Sequence, residues 1–170
     1  VGVEIKSGDA SRTLVGRVRL NSTLQFVDTV TQRFLINWFN RRVRGTVNSF
    51  TVTRSTTSLT FVELNSEIRV EFLTWADEIV IAAWGGIFYN SGTSITYSAL
   101  GFDGTTSEDS SYNTTQGSNF AALGGSLLRS GLAEGYHFLT MLGQVSGETG
   151  NWVGGGAGVV RTGLGAGVRG

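Results

Sequence analysis

Hydrophobic and polar residues alternate along most of this chain with a period of two, the spacing that puts successive side chains on opposite faces of a β-strand. From Thr13 onward, Leu14, Gly16, Val18 and Leu20 alternate with Val15, Arg17 and Arg19. The stretch Gln32 to Arg42 places Phe34, Ile36 and Trp38 on one face and Leu35, Asn37 and Phe39 on the other. Two further strands are predicted over 46–53 and 59–64, and Ile68, Val70 and Phe72 alternate with Arg69 and Glu71 as in a half-buried strand. Residues 79–89 are almost continuously apolar apart from Gly85 and Gly86. That composition predicts a strand buried on both faces, with a bulge or a close backbone approach at the glycines. Strands over 94–102, 136–145 and 159–168 complete the set. Phe120, Ala121, Leu123, Leu127 and Leu128 would also fit one helical turn, but the flanking glycines favour loop or strand.

Turn signals separate these runs at short intervals: Asn21-Ser22-Thr23, Ser55-Thr56-Thr57-Ser58, Asp77-Glu78 and Asp103-Gly104. Residues 105–117 are polar and read as an exposed loop. Eight to ten short strands at this spacing predict an all-β sandwich or barrel, not alternating βαβ units. The 170 residues suit one domain, with 1–12 as a lead-in arm from an upstream region and 13–170 as the folded head. The first residue is Val1, which reads as a cut from a longer chain or a processed product. No apolar run reaches 18 residues, so membrane insertion is not expected.

Composition narrows the chemistry. There is no cysteine and no proline, so no disulfide holds the fold and glycine, asparagine, aspartate and serine must make the turns. Of 25 glycines, 16 lie from Gly117 onward, which disfavours helix there. Net charge is zero but unevenly spread: residues 1–54 carry nine basic and three acidic groups, the remainder four and ten. This split admits two readings, a chance difference between strands or subunits meeting with opposite charge. A neutral total argues against nucleic acid as a partner.

The order of several segments resembles a known family. These are Thr13-Leu14-Val15-Gly16, Gln25-Phe26-Val27-Asp28, Thr31-Gln32-Arg33-Phe34 and Trp38-Phe39-Asn40-Arg41-Arg42. They continue with Arg69-Val70-Glu71-Phe72-Leu73-Thr74-Trp75, Gly101-Phe102-Asp103-Gly104-Thr105-Thr106, Glu134-Gly135-Tyr136-His137-Phe138 and Gly167-Val168-Arg169-Gly170. Together they span almost the whole chain and resemble the C-terminal jelly-roll head modules of structural proteins of tailed bacteriophages. Those modules are similar in shape to the tumour-necrosis-factor fold. The resemblance implies a jelly-roll β-sandwich, a homotrimer, contacts with other virion proteins, and a place on the tail or capsid surface after assembly in the host cytoplasm. It implies either a tail-fibre or tail-tip head that binds a host-surface glycan or protein, or a capsid decoration, cement or head-fibre protein. It carries over no binding site.

Catalytic and metal chemistry find little support in the residues, and no enzyme activity, cofactor or metal is expected. One histidine, His137, and no cysteine make a zinc site implausible. His137 sits in an apolar strand, where a core or interface role is expected, and Ser126 lacks the Gly-x-Ser-x-Gly context of a nucleophile elbow. Asp103, Glu108 and Asp109 could supply oxygens to calcium, but a solvated acidic loop is the plainer reading. The run Gly154-Gly155-Gly156-Ala157-Gly158 lacks the Lys-Ser/Thr of a phosphate loop. What remains is recognition. Tyr112 and Asn113 in the polar loop, and Asn151 and Trp152 in the glycine-rich region, are the expected receptor contacts, because loops carry recognition on rigid β scaffolds. The core anchor is the alternative for Trp152. Trp38 and Phe39 should face opposite ways, which makes one of them a candidate subunit contact. Arg41 and Arg42, with Arg44, are candidates for the same interface or for an acidic capsid patch.

Overall fold

A computed structural model describes residues 5–107, 119–155 and 161–169. The described residues are all-β apart from one 3-10 turn, Ser66–Ile68. In chain order the strands are β1 (Ile5–Lys6), β2 (Asp9–Thr13), β3 (Gly16–Val18), β4 (Gln32–Arg33), β5 (Leu35–Asn37), β6 (Val43–Ser49), β7 (Arg54–Thr56) and β8 (Val62–Glu63). They continue with β9 (Val70–Thr74), β10 (Val80–Asn90), β11 (Thr96–Phe102), β12 (Ala121–Arg129), β13 (Gly135–Val145), β14 (Gly150–Trp152) and β15 (Gly163–Arg169).

Two sheets make the sandwich. In the first, β10 is central, with β12 on one edge and β14 and β15 on the other; β7 and β6 then pair with β14 and β15. In the second, β13 is central, with β11 on one edge and β8 and β9 on the other, and β4 adds in parallel to β9. From β9 to β15 the chain passes from one sheet to the other at nearly every connection: β9 second, β10 first, β11 second, β12 first, β13 second, β14 and β15 first. This alternation, with antiparallel pairing inside each sheet apart from β4, is the jelly-roll arrangement.

The core fills the space between the sheets. Even-numbered residues of β10 (Val80, Ala82, Trp84 and Phe88) meet Val70, Phe72, Leu100, Leu139 and Met141 of the facing sheet. Trp152 is fully buried among them, edge-on to Phe88 at 6.3 Å, and its indole N–H donates to Ser98 Oγ at 2.8 Å. Gly143 lets that ring in, since a Cβ there would lie 2.5 Å from Trp152 Cη2. The predicted close approach at Gly86 is present, as a Cβ would lie 2.6 Å from Thr162 Cα. There is no bulge at this point, because the β10–β12 register runs unbroken from Val80 to Phe88. The segment that fitted either strand or helix is strand β12.

Within residues 14–42, β4 extends the edge of the second sheet, and Leu14, Phe34, Ile36 and Trp38 lie against its outer face. Ile36, Leu73 and Trp75 form a small second core, joined by Leu14, Trp38 and Tyr136. Phe34 is edge-on to Tyr136 at 6.0 Å, and the Arg19 guanidinium stacks over the Tyr136 ring. Asn21 makes the predicted turn: its side-chain oxygen accepts from the Thr23 and Gln25 N–H groups at 3.0 and 2.9 Å, and the chain passes Leu24 with φ +60°.

The strand predicted over 79–89 departs from expectation on one face. Residues 79, 81 and 83 point outward and are exposed. Only one side of the strand lies in the sandwich, and among the described residues nothing covers 79, 81 and 83 on the other, while Phe120 packs on Tyr89 further along.

Trp152 belongs to the core and is not a surface contact. Its replacement by alanine should remove about 3–5 kcal/mol of stability, as expected for a fully buried aromatic. Urea unfolding followed by far-ultraviolet circular dichroism measures this; a loss within 1 kcal/mol would contradict the packing described.

Candidate assembly interface

Among the described residues the outer face of the first sheet presents an exposed apolar surface, and strand register defines it. One row across the sheet reads Gly45, Gly167, Ile81, Leu128; the next reads Val47, Gly165, Ala83, Ser126. Val43 and Arg169 lie at one margin. The two inner rows contain no charged side chain. Relative exposures are 66% for Val43, 59% for Val47, 53% for Ile81 and 70% for Leu128. Lone exposed apolar residues are ordinary, but a contiguous apolar sheet face marks an interaction surface.

The glycines in this face carry further information. A Cβ at Gly45 would meet nothing within 4 Å, and one at Gly167 would find only ordinary contacts, the shortest 3.5 Å to Val43 Cγ1. Packing within the chain therefore does not require glycine at either position. Their small size leaves a shallow trough between Val43 and Val47 on one side and Ile81 on the other.

The residues expected at an interface from sequence lie elsewhere. Trp38 and Phe39 follow β5 in a bend, not in a continuous strand. Trp38 is half-buried, edge-on to Trp75 at 4.9 Å, and Phe39 is the exposed member of the pair. Arg41 forks onto the Asp77 carboxylate, with Nη1 donating to Oδ2 at 2.9 Å and Nη2 to Oδ1. Arg42 is exposed, and Arg44 donates to Asp28 at 2.6 Å. None of these side chains is on the apolar sheet face.

The uneven charge is used inside the chain. Arg17 pairs with Glu134, Arg41 with Asp77, and Arg54 with Glu67 at 2.7 Å, each tying the basic first third to the acidic remainder. The Arg41 partner holds the Asp77 carboxyl below the ordinary carboxylate range, and Arg54 does the same for Glu67.

Of the expected receptor contacts, Asn151 is half-buried in β14, its amide donating to Thr149 O at 3.1 Å. Tyr112 and Asn113 lie outside the described residues, as do Glu108 and Asp109 of the calcium candidate. Asp103, the third member, is already engaged: Oδ2 lies 2.6 Å from His137 Nδ1, and Oδ1 accepts from the Phe138 N–H at 2.9 Å. His137 Nε2 lies 2.8 Å from Ala133 O, so the buried ring bridges two chain segments. Among the described residues no group of three His, Cys, Asp or Glu is placed to hold a metal ion.

Sequence reasoning missed the sheet face although its signal was present. Gly163, Gly165 and Gly167 alternate with Leu164, Ala166 and Val168, so β15 is apolar inward and almost without side chains outward. In 79–89 both parities are apolar, which fits a strand covered by its own chain on one side and by another molecule on the other.

No protein-family model matches the sequence. No curated protein matches it either. Among solved structures, the chain is similar to one from the structure of infectious bursal disease virus, Gx strain, with a TM-score of 0.47 and 9% sequence identity. The alignment covers 93% of this chain and 38% of the viral one, so the chain spans well under half of that neighbour's length.

Proposed function

We propose that this chain is a virion structural protein, the homotrimeric head domain of a bacteriophage tail fibre or tail tip, which binds a host-surface glycan or protein and catalyses nothing. The observation that carries the reading is the bare apolar face of β6, β15, β10 and β12. A surface of valine, isoleucine, leucine and glycine with no charge in its inner rows is suited to burial against another copy of itself. Segments that resemble phage head modules, spread along the whole chain, supply the virion setting and the three-fold order. Linked copies raise the effective concentration of weak individual sites, so a trimer can hold a repeating surface ligand that one copy would release. Receptor contact is assigned to Tyr112 and Asn113, on the sequence reading of the polar stretch 105–117.

Two measurements test the reading at separate points. Light scattering of the purified chain at micromolar concentration should give three times the chain mass. Val47→Asp and Ile81→Asp should each shift the protein to monomer, raising the dissociation constant on the order of 100-fold or more, because a carboxylate would be buried without a partner. A monomeric wild type, or trimers unchanged in both variants, would refute self-association through this face. Immunogold labelling of the parent virion then locates the domain. Gold at the tail tip or fibres, with soluble domain competing for adsorption, supports the receptor-binding head; gold spread over the capsid replaces it with decoration.

A further inference from the structure

A second feature, independent of the assembly face, lies where residues 14–42 meet the sandwich. The turn between β9 and β10 presents Trp75, Asp77 and Glu78 to this segment, and Arg41 reaches across from it. Arg41 lies 5.2 Å from the Trp38 ring centre and 5.8 Å from that of Trp75, with its fork on Asp77. Glu78 is 3% exposed, and its Oε2 accepts from the Trp75 backbone N–H at 3.2 Å. Its other oxygen, Oε1, is buried with no hydrogen-bond partner; the nearest Arg41 nitrogen, Nη2, is 3.6 Å away. Arg41 Nε and the Trp75 indole N–H are also buried and unpartnered. The junction therefore holds a buried carboxyl oxygen and two buried N–H donors without hydrogen bonds, beside a guanidinium that forks onto Asp77 and lies within ion-pair distance of Glu78.

Such a set has two arrangements. With a neutral Glu78, Arg41 gains most from the ionised Asp77, as observed. With an ionised Glu78, a buried carboxylate lies 3.6 Å from that same cation, and an unpaired buried charge is far more costly than an unpaired exposed one. Asp77 is the exposed acid and can be left to water. We propose that Glu78 is a proton-operated latch on the 14–42 segment: neutral while Arg41 is forked on Asp77, and once ionised drawing Arg41 off Asp77 toward Oε1. Because Arg41 lies against both tryptophans, that move changes the Trp38–Trp75 contact and loosens the segment's seat.

The other charged groups around the latch set its sign. Arg17 lies 5.6 Å from the Trp75 ring centre and is paired with Glu134, just before β13, while Arg169 of β15 acts on Asp77. Burial raises the Glu78 carboxyl to about 7, and neighbouring Asp77 adds to this, against the lowering effects of the Trp75 N–H and Arg41. A carboxyl raised on folding stabilises the folded form fully below its unfolded value, and that contribution is lost as pH rises through the folded value. The segment should therefore be held more tightly near pH 5.5 than near pH 8.5. Asp77, held low by Arg41, acts oppositely but only in stronger acid.

The test is nuclear magnetic resonance of the uniformly labelled chain between pH 5 and 8.5. The side-chain carboxyl carbon of Glu78 should titrate near pH 7, with the Trp38 and Trp75 indole N–H signals moving at the same midpoint. Amide exchange of the 14–42 segment, corrected for the intrinsic pH effect, should rise about tenfold between pH 5.5 and 8.5. In Glu78→Gln the indole transition and the exchange step should vanish. In Arg41→Gln the Glu78 carboxyl should still titrate while the Trp38 shift is lost, which keeps the test decisive if the first variant does not fold. A Glu78 midpoint in the ordinary carboxylate range would overturn the proposal, as would an indole transition that persists in Glu78→Gln.

Discussion

A two-layer sandwich can bury only one face of each sheet between its layers, and most of this molecule's features follow from that limit. The inner faces are filled by the large aromatics: Trp84, Phe88 and Trp152 from one sheet meet Phe72 and Phe102 from the other. Trp152 needs more than apolar neighbours, because its indole N–H would be costly to bury unpaired. Ser98 on the opposing sheet accepts that hydrogen, and Gly143 gives the ring its space. The interior is thus fixed by shape and by polar contacts between the sheets, this one and the buried Asn90–Thr96 hydrogen bond at 3.3 Å.

Two outer faces remain, and the chain treats them differently. The outside of the second sheet carries Leu73, Tyr136 and Phe138, and residues 14–42 lie against it. Much of that covering is made by arginine over aromatic rings: Arg19 on Tyr136, Arg17 and Arg41 on Trp75, with the guanidinium groups of Arg17 and Arg41 also paired with acids. Such contacts shield apolar surface while keeping a polar exterior. Among the described residues, the outside of the first sheet around Gly45, Ile81 and Leu128 receives no such cover.

The sequence disclosed the inward-facing pattern well, because burial on one face of a strand writes a period of two that any reader can see. Strand β9 was legible for that reason, with Val70 and Phe72 buried, and Phe34 and Ile36 fell on the buried side as their spacing required. Other features depend on partners distant in the chain. Trp152 looked like a loop residue because glycines surround it, yet β14 is three residues long and its position follows from pairing with Phe88 and Arg54. Arg41 read as a candidate interface residue because its acid within the chain, Asp77, is 36 residues away. The continuous apolar run at 79–89 was visible, but alternation cannot tell a strand covered on both sides by its own chain from one left bare on one side.

In the self-association we propose, the bare face would also discriminate among partners. If burial of apolar area were the only requirement, larger side chains at Gly45 and Gly167 would provide more of it, and the chain has room for them. Keeping glycine there gives up area and leaves a trough between Val43, Val47 and Ile81 that only a ridge of matching shape can enter closely. Area alone sets no partner and no orientation; close packing of a ridge in a trough sets both, since dispersion is lost steeply as surfaces separate. A face without charge cannot choose its register by ion pairs, so shape must do so. That accounts for glycine where a β-strand would ordinarily favour valine or threonine.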